Sequence, residues 1–340
     1  MLKPKTLALV VLFVLCTFHA TASNFRAADQ VYIPAAGKLA GSSGTFISDV
    51  FVANVTTDTV TVSVIYASGT AGTQQNFNHL FDLAPGERKE FIDFFSSALS
   101  LPSGFGQLIF NACKKGEDCV ATQDANGVSP HFRNIAVQSR IYSIPPNTTP
   151  AQNPPTTGQL FAGVPWYNFV SSDMAASGLD RAFVTGLRNT GGTGQPGTYR
   201  GNFGIVNASQ FSSTDIVITL KNGRDGAVLG QTVKRLSPLG HLQFGLGTEF
   251  PSFSGPTATN AFMEVEQRNN TPTSDAPASC LPSGCPAFFV YGSVLDNGSG
   301  DATTLEPMYL KALSDAAINV IYPFTNNSGR TTIRRAVGRR

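Results

Sequence analysis

The residues able to do chemistry are few and scattered. Glu264 and Glu266 stand two apart and share one face of a strand. Two-carboxylate hydrolysis needs acids that face each other across a cleft, so this pair is expected on a solvent-facing strand. The histidines beyond the N-terminal region are His79, His131 and His241, and none has a histidine or carboxylate at ligand spacing. Gly41-Ser42-Ser43-Gly44 is a flexible turn before a strand, not a nucleophile elbow. There is no phosphate-binding loop and no dinucleotide fingerprint. The expectation is no catalytic residue, no metal centre and no cofactor.

Three smaller features invite a binding role. Trp166, Tyr167 and Phe169 form an aromatic group at the start of a stretch near 166–197, where exposed rings would suit a glycan. Asp296-Asn297-Gly298-Ser299-Gly300-Asp301 is oxygen-rich, making Asp296 and Asp301 the calcium candidates. It lacks the downstream bidentate acid of a helix–loop–helix site, so an Asn-Gly hairpin turn suffices. Asn54 and Asn207 each begin an Asn-x-Ser/Thr sequon, yet both stand at a strand end, where an asparagine capping a turn explains them.

The compartment follows from the N-terminus and the cysteines. Lys3 and Lys5 precede an apolar run from Leu7 to Phe18, and Ala20-Thr21-Ala22 offers a small-x-small cleavage pattern. Residues 1–22 are therefore expected to be a signal peptide, and the mature protein exported without a membrane span. Cys113, Cys119, Cys280 and Cys285 then remain, an even number in an oxidising compartment. Local pairing, Cys113 with Cys119 and Cys280 with Cys285, closes two short Gly-containing loops, each worth ~2 kcal/mol.

Charge divides along the chain. The formal net charge is +2, of which Lys3 and Lys5 supply +2 and the arginines of residues 330–340 supply +5, leaving −5 between. A folded body of that sign has no basic face for nucleic acid. The Arg-rich tail is expected to be a solvated end.

The elements that must position these residues repeat. Thr45–Asn54 matches Thr198–Asn207 at an offset of 153 residues, and at the same offset Leu83-Ala84-Pro85 matches Leu236-Ser237-Pro238 and Phe91 matches Phe244. Gly106–Ala112 falls opposite Thr259–Val265, and Ala136–Ser139 opposite Phe289–Gly292. Four blocks in one order at one offset predict an internal duplication. Alternation such as Val60, Val62, Val64 with Thr61 and Ser63 predicts strands near 31–36, 46–54, 60–67, 77–83, 88–95, 106–113 and 134–144. Seven short strands at this spacing suggest an immunoglobulin-like sandwich. Only 14% of residues are charged, which fits strand faces wetted by Thr, Ser, Asn and Gln rather than exposed helices.

The expected architecture is all-β, two tandem immunoglobulin-like β-sandwiches related by an internal duplication. The first spans 31–145 and a Pro-rich linker spans 146–158. The second spans 159–309 with an insertion near 166–197, and residues 310–340 form a C-terminal segment ending in the Arg-rich tail. The paired signatures Thr45-Phe46…Asp49…Asn54 and Tyr199–Asn207, with Tyr291–Asn297, resemble a group of uncharacterised exported bacterial proteins. That resemblance implies tandem immunoglobulin-like sandwiches and export, and brings no catalytic residues. The leading expectation is a non-enzymatic structural, adhesion or binding protein in the periplasm, on the cell surface or outside the cell, its partner an envelope protein or a glycan. The alternatives are a carbohydrate-binding protein using Trp166, Tyr167 and Phe169, and a hydrolase with its site in the interdomain cleft.

Overall fold

In a computed structural model the chain is all-β, with antiparallel sheets that do not close into a barrel. The structure describes residues 27–40, 44–122, 129–145, 148–149, 158–171, 181–192, 194–209, 211–274, 287–300 and 302–309. The expected signal peptide, Cys280, Cys285, Asp301, most of the linker, part of the insertion and the segment 310–340 lie outside them.

The first half runs β1 (Gln30–Ala40), β2 (Thr45–Asn54), β3 (Val60–Ser68), β4 (Thr73–Leu83), β5 (Arg88–Phe91), a helical turn α1 (Phe94–Ser97), β6 (Gly104–Lys114) and β7 (Ile135–Ile144), then β8 (Gln159–Ala162) and β9 (Val164–Pro165). One layer is β4-β3-β6-β1, with β9 on β1; the other is β5-β2-β7-β8. β1 serves both. Its start pairs with β6, its register shifts between Ile33 and Ala36, and Leu39 and Ala40 pair with β2. Pro34 sits in that shift, where a residue without an N–H loses no ladder bond. Buried Ser48 secures the crossing, its Oγ accepting from Gly37 N and donating to Gly37 O.

The second half continues with β10 (Val170–Ser171), β11 (Arg181–Leu187), β12 (Tyr199–Asn207), β13 (Ser212–Asn222), β14 (Val228–Leu236), β15 (His241–Gly245), α2 (Leu246–Glu249), β16 (Ala261–Pro272), β17 (Ala287–Asp296), β18 (Ala302–Leu305) and β19 (Met308–Tyr309). Its layers are β14-β13-β16-β11-β19 and β15-β12-β17, with β10 and β18 both on β17. Each neighbour relation in β4-β3-β6-β1-β9 recurs in β14-β13-β16-β11-β19, and that in β5-β2-β7-β8 recurs in β15-β12-β17-β18.

All seven strands expected in the first half are present. The one expected over 88–95 stops at Phe91, because Asp93 takes a left-handed conformation (φ 47°) and its carboxylate caps Ser96 N at the start of α1. The boundary also differs from the expectation. β8 pairs with β7 and β9 with β1, so residues 159–165, expected to open the second unit, belong to the sheets of the first. Hydrogen bonding to an open sheet edge outweighs the compositional break at the prolines.

The alternation of β3 works as read: Val60, Val62 and Val64 are buried while Thr61 and Ser63 are not. The first core joins residues of both its layers, including Ile33, Val50, Val62 and Phe110. It also takes in Trp166, Phe169, Val206, Leu239, Phe289 and Tyr291 from later in the chain. The second core is built on Phe203, Ile205, Ile218, Met263, Phe288 and Val290. A shared apolar seam therefore joins the two halves.

Candidate functional site

The seam is where the structure gathers the side chains of greatest chemical interest. On the second half it is formed by one face of β15, β12 and β17. Gly204 lies between Tyr291 and Gln243, and Val206 between Phe289 and His241. A Cβ on Gly204 would come within 2.0 Å of the Tyr291 ring, so glycine is what lets that tyrosine lie down across the sheet. Tyr291 OH is hydrogen-bonded to His241 Nε2 at 2.9 Å and to Gln243 Oε1 at 2.9 Å. From the first half, Phe161 meets the Tyr291 ring edge-on at 5.4 Å and Phe105 meets His241 at 5.1 Å.

Backbone and amide bonds secure the contact. Thr70 O accepts from Ser237 N at 2.9 Å, Gly69 O accepts from His241 N at 2.8 Å, and buried Gln107 donates through Nε2 to Leu239 O at 2.9 Å. Complete burial pushes the His241 imidazole pKa down to about 4 and the Tyr291 hydroxyl far above its ordinary value. His241 is therefore a neutral, hydrogen-bonded core histidine.

Two of the three aromatics expected to be exposed, Trp166 and Phe169, are buried instead. Trp166 is 7% exposed, in a 3-10 turn after Pro165, and its Nε1 donates to Asp29 Oδ1 of the first half at 3.0 Å. Phe169 is 4% exposed, stacked on Phe289 at 5.1 Å and edge-on to Tyr32 at 4.6 Å. These rings are cement between the halves, not a sugar platform. The side chain of Tyr167 lies outside the described residues. The physical reason is area: large rings such as Trp166 and Phe169 next to an apolar sheet face are worth ~1.5–3 kcal/mol each when buried.

Above the seam opens a cleft, with an empty volume of about 490 Å³ that includes its open mouth. Pro34, Phe161, Val164, Tyr291, Leu305 and Pro307 give it apolar walls, and Asn168, Thr304 and Glu306 are its polar side chains. Thr304 Oγ1 donates to Leu160 O at 2.6 Å, tying β18 to β8 across the seam. Partial desolvation raises the Glu306 carboxyl above the ordinary glutamate value. Glu306 is the one ionisable carboxylate among the cleft-lining residues, so the two-acid arrangement of a glycosidase is not assembled there.

The other candidates resolve individually. Glu264 pairs with Arg181 and Lys221, and Glu266 with Arg181 at 3.3 Å, on one face of β16 as the spacing predicted. His131 Nε2 lies 3.6 Å from Glu117. Asp296 caps its own turn: Oδ1 accepts from Gly298 N and Ser299 N, and Oδ2 from Gly197 N. Those bonds, Ser299 N first, hold its carboxyl below the ordinary value. Among the described residues no three His, Cys, Asp or Glu side chains converge on a metal position. Cys113 and Cys119 form the expected local disulfide.

Both sequon asparagines are structural. Asn54 Nδ2 donates to Asp58 O, Leu83 O and Ala84 O, and Asn207 Nδ2 to Ser212 O, Leu236 O and Ser237 O. Each Oδ1 accepts from the backbone N–H two residues on, at Thr56 and Ser209. An amide nitrogen buried among three carbonyls cannot carry a glycan without breaking the turn.

No pattern in the residues signals the buried acid on the first half's other sheet face. Asp49 is fully buried, accepting from Tyr142 OH at 2.9 Å and Asp93 N at 3.0 Å and pairing with Arg140 at 3.0 Å. Burial and then the Asp49 hydrogen bond raise the Tyr142 hydroxyl pKa. All of these oxygens are engaged, which makes the group a clamp on β2, β7 and α1.

No family model and no curated protein matches the chain. Among solved structures it is similar to a Bacteroides uniformis β-glucuronidase 2 (10% identity, TM-score 0.14), covering 81% of this chain and 25% of that one. It is also similar to a chain of Broad Bean Stain Virus (10% identity, TM-score 0.20; 87% and 94% covered) and to the BSP domain of a biofilm-associated protein (8% identity, TM-score 0.20; 90% and 64% covered). The chain spans about a quarter of that glucuronidase's length. Likenesses at these TM-scores carry no argument about fold or activity. Among the described residues no helix is long and apolar enough to cross a membrane.

Proposed function

We propose that this is an exported, non-enzymatic structural, adhesion or binding protein of the cell envelope or extracellular space. In this reading it is built from two immunoglobulin-like sandwiches that arose by internal duplication. The observation that carries it is the seam: two units with matching strand neighbours and the same asparagine turn clamp are welded by buried rings into one body. Such a body holds its outer faces in fixed relation, as a spacer or a presenting scaffold must. The signal-like N-terminus and the Cys113–Cys119 disulfide support an oxidising compartment.

Fractionation of producing cells tests the export half. The wild type should lack residues 1–22 and partition outside the cytoplasm, and Ala20→Arg with Ala22→Arg should block processing. Wild-type protein retained at full length in the cytoplasm sinks the reading. Turnover of any substrate in a broad hydrolase panel, abolished by Glu306→Gln, would establish the enzymatic alternative in its place.

A further inference from the structure

We propose that the seam cleft binds an organic cation, a protonated amine or guanidinium on a short apolar body, with the Glu306 carboxylate as its counter-ion. The proposal rests on the binding reading above and names the ligand class for the cleft. Three features converge on it. The walls given by Pro34, Phe161, Tyr291 and Leu305 carry no charge and offer aliphatic and aromatic surface. Tyr291 contributes its ring alone, because its hydroxyl is already committed to His241 and Gln243.

Glu306 has no ion-pair or hydrogen-bond partner among the described residues, although most acids of the second half are paired. Glu306 stands exposed at the cleft mouth, where the neighbouring walls desolvate its carboxylate only in part, and an arriving cation would supply the counter-ion it lacks. Aromatic rings beside it add attraction for the same sign of charge.

The geometry also limits what fits. An anion would meet the like charge of Glu306. A polysaccharide needs several polar partners, whereas beside Glu306 the cleft walls carry only Asn168 and Thr304 as polar side chains, and Thr304 already donates to Leu160 O. The cleft is open, and its empty space of about 490 Å³ includes solvent at the mouth, so a side chain or a small amine is the largest occupant its walls can hold.

The test uses purified mature protein and three probes of one shape: phenethylamine, phenethyl alcohol and 3-phenylpropionate. Calorimetric titration should show phenethylamine binding at least about tenfold tighter than the alcohol, and no binding of the carboxylate. Glu306→Gln should lose at least about tenfold in amine affinity, Glu306→Asp should keep most of it, and Glu266→Gln should change nothing. NMR perturbations should centre on Phe161, Tyr291 and Leu305. Equal binding of all three probes, no amine binding at millimolar concentration, unchanged affinity in Glu306→Gln, or perturbations elsewhere would each overturn the proposal. Coincident melting curves for Glu306→Gln and wild type separate a lost ligand from a lost fold. Export is read by fractionation alone, so either proposal can fail without the other.

Discussion

One sheet face appears twice in this molecule and leads two different lives. In the first half it carries Phe51, Arg88, Glu90, Ala136 and Gln138 across β2, β5 and β7. The positions 153 residues later, on β12, β15 and β17, are Gly204, His241, Gln243, Phe289 and Tyr291. The first set faces water, with Arg88, Glu90 and Gln138 exposed and Arg88 lying over Phe51 at 4.9 Å. The second set is the seam. Strand pairing is common to both, so the ladder did not choose which face would be buried. Side-chain volume and charge did: Phe51 is matched by Gly204 beside Tyr291, and Arg88 is matched by the buried, neutral His241.

The comparison can be broken at several points. The largest effect should come from Trp166→Ala, which leaves a cavity in the seam and removes a buried hydrogen bond to Asp29. A loss of ~3–5 kcal/mol is expected in urea denaturation. Arg88→Ala on the free face should stay within ~0.5 kcal/mol. A Trp166→Ala loss no larger than that of Arg88→Ala would mean the seam is not a core.

The next effect is a pH dependence confined to the seam. The folded imidazole of His241 titrates near 4 against 6.5 for an unburied histidine, so the unfolded chain binds the extra proton first as pH falls. Stability from this group is complete above pH 6.5, declines below it and is fully lost by about pH 4, a total of ~3 kcal/mol. Carboxylates titrate in the same region, so the measurement is the difference between wild type and His241→Gln, which should narrow by that amount between pH 7 and pH 4.

Gly204→Ala should cost ~2 kcal/mol, because the new methyl collides with the Tyr291 ring, whereas Phe51→Ala at the matching position should cost under ~1 kcal/mol. Restoring space with Gly204→Ala and Tyr291→Phe together will not help, since the ring itself is the obstacle, whereas adding Tyr291→Ser should. The smallest effect is a difference of near zero. Asn54→Ala and Asn207→Ala each remove three Nδ2 bonds to carbonyls and one from a backbone N–H, Asn54 losing a Thr56 hydroxyl bond besides, and should each cost ~2 kcal/mol, within ~0.5 kcal/mol of each other. A gap above ~1 kcal/mol would show that the two turns do not share a role despite their shared geometry.

Much of the fold was legible because it rests on local chemistry. The alternating Val60-Thr61-Val62-Ser63-Val64 names its own buried face, and Asn54 and Asn207 mark turns because an asparagine side chain can bond the backbone nearby. The candidate site was much less legible. Trp166 and Phe169 look like exposed binding aromatics in a linear reading, and their burial depends on β17 and β1, more than a hundred residues away in each direction. One signal was available: at the constant offset the second unit lacks the charges of Arg88 and Glu90 and gains Phe289 and Tyr291, the change expected of a face that is covered.

The sequence by itself determined the strand class, the places of the first half's strands along the chain, the local disulfide at Cys113–Cys119 and the turn role of both asparagines. Each depends on residues close in the chain or on side-chain alternation, which carry their energetics locally. Tertiary structure decided where the first unit ends, which of the two matching sheet faces is buried, and that Pro34, Phe161, Tyr291 and Glu306 line one cleft. Those outcomes come from apolar area brought together by long-range packing, and burial free energy follows the surface that meets, not the distance along the chain.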